Sequence, residues 1–144
     1  MRCWPKGWPR SLVWTSSQMG KAVAFLAEPR VAIALTAILV LIVAFLTLTP
    51  SDKLPSAPGG DKLHHFLAFG AIAFPIAFAR PRLFVWIVLA VSAYGAVIEI
   101  IQPYVGRHGD IMDALANSIG AVAGATGGAV LRMALRKRGV TEST

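Results

Sequence analysis

Four long apolar runs, separated by short polar segments, make up most of the chain. They span residues 31–48, 63–79, 83–101 and 111–131. An α-helix of about 18 residues is roughly 27 Å long, which is close to the thickness of the hydrocarbon core of a bilayer. The pattern therefore predicts an all-α integral membrane protein, a helical bundle with four transmembrane helices.

The segments outside these runs predict tails and loops. Residues 1–30 form a mixed N-terminal tail, and residues 132–144 form a basic C-terminal tail. Three tryptophans lie beside Lys and Arg in the first tail, which is typical of the membrane–water interface. A disordered tail, or a chain start at Met19, is the alternative. Basic residues before the first run also resemble a signal peptide, but the run is long and lacks an A-x-A-like cleavage site.

The composition narrows the class of protein. Of the 144 residues, 56% are hydrophobic and only 15% are charged, which is too apolar for an ordinary soluble domain. The net charge of +7 comes from residues that flank the apolar runs. We therefore expect membrane lipids as partners and no nucleic acid, and a homo-oligomer stays open. Cys3 is the only cysteine, so there is no disulfide framework.

The basic residues also predict an orientation. Of the 14 Lys and Arg residues, eleven lie in the two tails and in the turn at residues 80–82. The other three are Lys53, Lys62 and Arg107. Because Lys and Arg accumulate on the cytoplasmic side, we predict a multi-pass protein of the inner (plasma) membrane with both termini in the cytoplasm.

Polar side chains gather where the second, third and fourth runs meet the predicted outer face. Ionisable groups in a membrane are costly and by default suggest a functional site. The central candidates are His65, Glu99, Arg107 and Asp113, and the candidate ligand-binding residues are Asp61, Lys62, Gln102, Asp110 and Asn117.

Helical spacing places these residues on shared faces. Asp61 and His65 form an i,i+4 pair that can hydrogen-bond and fix the imidazole tautomer. The two aspartates and the asparagine of the fourth run share another face. Gly95 shares a face of the third run with Glu99 and Gln102, and Gly120, Gly124 and Gly128 continue the face of the fourth. Small residues at this spacing predict close helix packing.

Simpler roles stay open at this stage. The two aspartates can cap the fourth helix, and Asn117 can make an interhelical hydrogen bond. Glu99 can be a solvated carboxylate, an ion-pair partner of a nearby cation (Arg107 or Lys62), a proton acceptor or a metal ligand. Divalent ions bind such nitrogen and oxygen atoms, which His65, Glu99, Asp110 and Asp113 all offer. No H-E-x-x-H or E-x-x-H motif is present, so we predict no metal and no cofactor.

Three blocks of these residues resemble the VanZ-like family of small bacterial membrane proteins. They are D-K-x-x-H-F at 61–66, E-x-x-Q at 99–102 and R-x-x-D-x-x-D-x-x-x-N-x-x-G-x-x-x-G at 107–124. The resemblance covers about residues 31–130 and implies a VanZ-like domain at 31–131 in a bacterial envelope protein. The namesake of the family is associated with resistance to the glycopeptide teicoplanin.

Three functions are compatible with this reasoning. The favoured one is an envelope protein that binds or modifies a lipid-linked or cell-wall-related ligand from the outside. In it, Lys62 and Arg107 would contact an anionic headgroup, and His65, Glu99 and Asp113 would move protons. The alternatives are a small proton-coupled exporter and a structural subunit without chemistry. Whether the chain is an enzyme stays open.

Overall fold

The chain is a succession of helices in the computed structural model, which describes residues 16–50 and 60–138. No strand occurs within those two ranges. The α-helices are α1 (Ser16–Leu26), α2 (Pro29–Leu48), α3 (Asp61–Ala79), α4 (Phe84–Ile101) and α5 (Ile111–Lys137), and short 3-10 helices lie at Pro81–Leu83 and Gln102–Val105. The tryptophans predicted at the interface, Lys53 and the last six residues lie outside the described residues.

Four of the helices are long and apolar enough to cross a membrane, which confirms the predicted fold class. They are α2, α3, α4 with its flanking 3-10 helices, and α5. Large apolar side chains on their outer surfaces are exposed, and Leu41, Phe45 and Trp86 are 68–70% accessible. Such extensive apolar exposure suits a hydrocarbon environment and is uncommon on a soluble protein.

Two features extend beyond the predicted apolar runs. α1 lies inside the predicted N-terminal tail, and α2 begins immediately afterwards at Pro29, a residue that favours the first helical position. α5 continues past residue 131 to Lys137, so its 27 residues span roughly 40 Å. Arg136 and Lys137 in its last turn complement the negative end of the helix dipole.

α3 and α5 form the most extensive helix pair in the bundle. Three glycines of α5 each face a main-chain carbonyl of α3, so that Gly120 faces Phe66, Gly124 faces Gly70 and Gly128 faces Phe74. A Cβ atom at any of these glycines would collide with that carbonyl. Small residues at a spacing of four let two helix backbones approach within a membrane, and this close approach sets the positions of the side chains at the end of the pair.

α4 and α2 complete the bundle around this pair. Gly95 of α4 lies against Asn117 and Phe69, so α4 also approaches closely. α2 packs outside, and two of its hydrogen bonds join it to α3 and α4: the Thr36 hydroxyl donates to the Ile72 carbonyl at 3.2 Å, and the Tyr94 hydroxyl donates to the Val40 carbonyl at 2.8 Å. The C-termini of α2 and α4 and the N-termini of α3 and α5 meet at one end, hereafter the polar end.

Candidate functional site

The connection between α4 and α5 builds one side of the polar end. α4 ends at Ile101, and a 3-10 helix with Pro103 in its first turn follows it. Gly106 then takes a left-handed conformation (φ 76°) that reverses the chain. Gly109 passes so close to Glu99 that a Cβ atom would collide with the Glu99 carbonyl. These turns bring the start of α5 beside the last turn of α4.

Four buried side chains from three helices meet there, and we call them the polar cluster: His65, Glu99, Asp113 and Asn117. His65 Nδ1 lies 2.9 Å from Asn117 Oδ1. The Asn117 amide nitrogen donates to Glu99 Oε1 at 3.4 Å. Because the Asn117 oxygen can only accept, His65 Nδ1 carries the proton, and Nε2 of a neutral imidazole keeps its lone pair.

Asp113 faces the other side of the imidazole. Its Oδ2 lies 3.8 Å from His65 Nε2. Its Oδ1 is buried and has no hydrogen-bond partner among the described residues. Lys62 Nζ lies 3.5 Å from this oxygen, at ion-pair distance. The cluster thus contains a buried carboxylate whose oxygens are only partly paired with hydrogen-bond donors.

Glu99 is held inside the bundle rather than at its surface. The residue is only 9% exposed. Its Oε2 accepts a hydrogen bond from the Asp110 main-chain N–H at 3.1 Å, and its Oε1 lies 3.7 Å from His65 Nδ1. The alternative of a solvated carboxylate is therefore wrong, and the surrounding groups are those of an interhelical site.

Lys62 and Asp110 form the rim of the polar cluster. Lys62 Nζ lies 3.2 Å from Asp110 Oδ2, and the lysine side chain is 57% exposed. Asp110 also caps α5, since its Oδ1 accepts from the Met112 N–H at 2.8 Å. The Met112 N–H and, secondarily, the Lys62 ammonium lower the pKa of the Asp110 carboxyl. The capping role considered from the sequence accounts for this residue.

Three of the candidate residues lie outside the polar cluster. Arg107 donates to the main-chain carbonyls of Leu46 and Thr49 at the end of α2, so it forms no ion pair with Glu99. Gln102 is buried, and its amide donates to the Thr47 carbonyl. Asp61 is exposed on the first turn of α3. His65 pairs with Asn117 instead of with Asp61.

Sequence reasoning missed two neighbours of the cluster. Phe69 lies one turn below His65, is fully buried, and has its ring centroid 6.4 Å from that of the imidazole in a stacked arrangement. Its i+4 spacing from His65 was the available signal. Apart from its place in a polar loop, nothing in the sequence indicated that Gly109 lies against Glu99.

The electrostatics of the cluster favour a positive charge. One ligand atom from each of His65, Glu99 and Asp113 lies within 4.8 Å of the others. Two carboxylates at that separation repel each other by roughly 3 kcal/mol at an effective dielectric constant of about 20. A proton taken up by one of them or a bound cation relieves this repulsion. The arrangement can therefore hold a cation, move a proton, or accept hydrogen bonds from a polar ligand.

Comparison with known proteins gives one finding. A family model described as VanZ/LLP1 matches residues 11–132. Neither a curated protein nor a solved structure matches the chain significantly. The match includes α3, α4 and the part of α5 that carries the polar cluster.

Proposed function

Because the chain belongs to the VanZ/LLP1 family, we propose that this multi-pass membrane protein binds the headgroup of a lipid-linked or cell-wall-related ligand at its polar end. The observation that carries the proposal is the buried polar cluster beside the exposed Lys62 ammonium. A polar group that only joined helices would not need a rim of charged residues. In this proposal the polar end faces the outside of the plasma membrane, and both termini face the cytoplasm.

The charged and polar side chains of the polar end indicate which chemical groups the bound headgroup carries. Lys62, which is 57% exposed at the rim and also pairs with Asp110, is placed to contact a phosphate or carboxylate, whereas Arg107 donates to the carbonyls of α2. The carboxylates of Glu99 and Asp113 accept hydrogen bonds from hydroxyl or amine groups. A headgroup with one anionic group and several donors, as in a phosphorylated or amino sugar, matches both features.

The polar cluster can also transfer a proton within a bound ligand. With no cation bound in the cluster, His65 Nε2, with its lone pair, is the base, and Asn117 holds the imidazole in this tautomer through Nδ1. A proton-coupled exporter instead needs an ionisable group near the middle of the membrane, accessible from both sides. The cluster lies within the first two turns of α3 and α5 and the last turn of α4, so its geometry favours a ligand that enters from one face.

The proposed orientation predicts which single cysteines react from outside the cell. With Cys3 changed to serine, Tyr104→Cys places a thiol on a side chain position that is 86% exposed at the polar end. Arg82→Cys places one in the turn at the opposite end. A membrane-impermeant maleimide applied to intact cells should label the first variant, and the second only after permeabilisation. The reverse pattern would contradict the orientation.

The proposed function predicts a loss of activity when Glu99 loses its charge. Glu99→Gln keeps the size of the side chain and removes the carboxylate. We expect it to lose more than tenfold in complementation of a deletion strain, measured by teicoplanin sensitivity and by the pool of lipid-linked cell-wall precursors. Asp61→Asn, an exposed carboxylate outside the cluster, is the matched control and should complement fully. Full complementation by a stably inserted Glu99→Gln chain would contradict a role for this carboxylate.

A further inference from the structure

Three potential metal ligands converge in the polar cluster from three different helices. His65 comes from α3, Glu99 from α4 and Asp113 from α5. All three residues are buried, and one nitrogen or oxygen atom of each lies within 4.8 Å of the others. Ligands around a single ion of zinc size, with bonds of about 2.0–2.2 Å, are separated by distances of this order after small side-chain adjustments.

The imidazole is oriented as a metal ligand would be. Asn117 Oδ1 accepts from His65 Nδ1 at 2.9 Å, which leaves Nε2 as the atom able to coordinate. A hydrogen bond on the other ring nitrogen is the usual support of a metal-binding histidine. Nε2 faces Asp113 Oδ2 at 3.8 Å, and Glu99 Oε1, which lies 3.7 Å from Nδ1, would turn towards the Nε2 side to complete the ligand set. The lone pair of Nε2 and the carboxylate oxygen thus face each other. A cation bound between them would replace their repulsion with two attractive contacts.

The charges and the unsatisfied oxygen indicate the same class of ligand. Asp113 is 8% exposed, and its Oδ1 has no hydrogen-bond partner in the described chain. The nearest cation, Lys62, lies at the rim and is also paired with Asp110. When both are ionised, the Glu99 and Asp113 carboxylates carry two negative charges, which one divalent ion balances.

We propose that His65, Glu99 and Asp113 bind one divalent metal ion of the zinc or manganese class. One nitrogen and two carboxylate ligands suit these ions. Three protein ligands leave at least one coordination position for an oxygen atom of a ligand. The role of the ion in holding an anionic headgroup rests on the proposed function, whereas the binding of the ion does not.

Metal binding to the purified full-length protein in lipid nanodiscs tests the site directly. After treatment with a chelator, titration with Zn²⁺ or Mn²⁺ should give one ion per wild-type chain. Asp113→Asn should bind at least tenfold more weakly, and Asp61→Asn should bind as the wild type does. Zn²⁺ should raise the Tm of the wild type and of Asp61→Asn, but not that of Asp113→Asn.

Two results would overturn the site. One is the absence of saturable binding by the wild type, which would leave a proton bound by one carboxylate as the source of charge balance. The other is equal binding by the wild type and Asp113→Asn. X-ray absorption of the zinc-loaded wild type needs no variant and should show one imidazole with oxygen ligands. A sulfur ligand or more than one imidazole would assign the zinc to other residues, such as Cys3.

The cellular and binding experiments separate the two proposals. A wild-type chain that binds zinc, together with a Glu99→Gln chain that complements fully, contradicts the proposed function and supports the metal site. A wild-type chain that binds neither ion, together with failure of Glu99→Gln in cells, supports the function and overturns the metal site.

Discussion

Gly124→Ala is expected to destabilise the bundle by about 3 kcal/mol, the upper part of the range for overpacked interiors. The added methyl group would collide with the Gly70 carbonyl of α3. A main-chain atom cannot rotate away as a side chain can, so α3 and α5 would have to separate. Because this pair positions the polar cluster, we expect the same variant to weaken function. Reversible unfolding in mixed micelles, followed by circular dichroism, measures the change.

Gly127→Ala is the matched control for this prediction. It lies three residues further along the same helix, and its added Cβ would meet only ring atoms of Phe74, at 3.8 Å. That separation is an ordinary van der Waals contact. Since alanine favours the helix over glycine by up to about 1 kcal/mol, Gly127→Ala should leave stability unchanged or raise it. Equal losses for Gly124→Ala and Gly127→Ala would show that helix propensity, rather than the contact with Gly70, sets the effect.

The membrane architecture could be predicted from the sequence because length and hydropathy constrain it so strongly. In the absence of water, the main-chain N–H and C=O groups of a run such as 31–48 can only be paired within a spanning helix. The end of α5 could not be located in this way, because its last turns carry Arg132, Arg136 and Lys137 and so break the apolar pattern. α1 escaped prediction for a related reason, since the segment 16–26 is too short and too mixed to give a spanning signal.

The faces of the site residues were predictable, but their partners were not. Spacing places Asp61 next to His65 on one helix, and a local hydrogen bond between them was the natural expectation. The close approach at Gly120 brings α5 near enough for Asn117 to take that position instead. Arg107 likewise lay in a loop whose path depends on Gly106 and on the end of α2. Contacts between helices depend on packing distances, which a pattern within one helix does not contain.

The same limitation explains why no metal was predicted. A motif such as H-E-x-x-H reveals a site because two ligands share one helix. His65, Glu99 and Asp113 each come from a separate helix, so the spacing between them in sequence carries no information about their geometry. Only the assembled bundle shows one ligand atom of each within 4.8 Å of the others.

Asn117→Ala is expected to destabilise the protein by about 2 kcal/mol. The alanine keeps the Cβ that packs against Gly95 but removes the amide. His65 Nδ1 and Glu99 Oε1 then each lose a partner while buried. Leaving buried polar groups unsatisfied costs about 1–3 kcal/mol, which is more than the average of about 0.6 kcal/mol for interhelical hydrogen bonds in a membrane. Ser118→Ala removes only a hydroxyl that donates to the Ala114 carbonyl and should change stability little.

The same variant distinguishes a functional cluster from one that only joins helices. If Asn117 positions the imidazole of His65, Asn117→Ala should weaken zinc binding by about 10–100-fold and reduce complementation, even after correction for the amount of folded protein. A structural subunit would instead lose stability and keep full activity per folded chain. Measuring Tm, zinc affinity and complementation for Asn117→Ala beside Ser118→Ala separates these outcomes, since destabilisation alone leaves zinc affinity of the folded fraction unchanged. Retained zinc affinity in a destabilised Asn117→Ala chain would therefore show that the asparagine joins helices and does not orient the histidine.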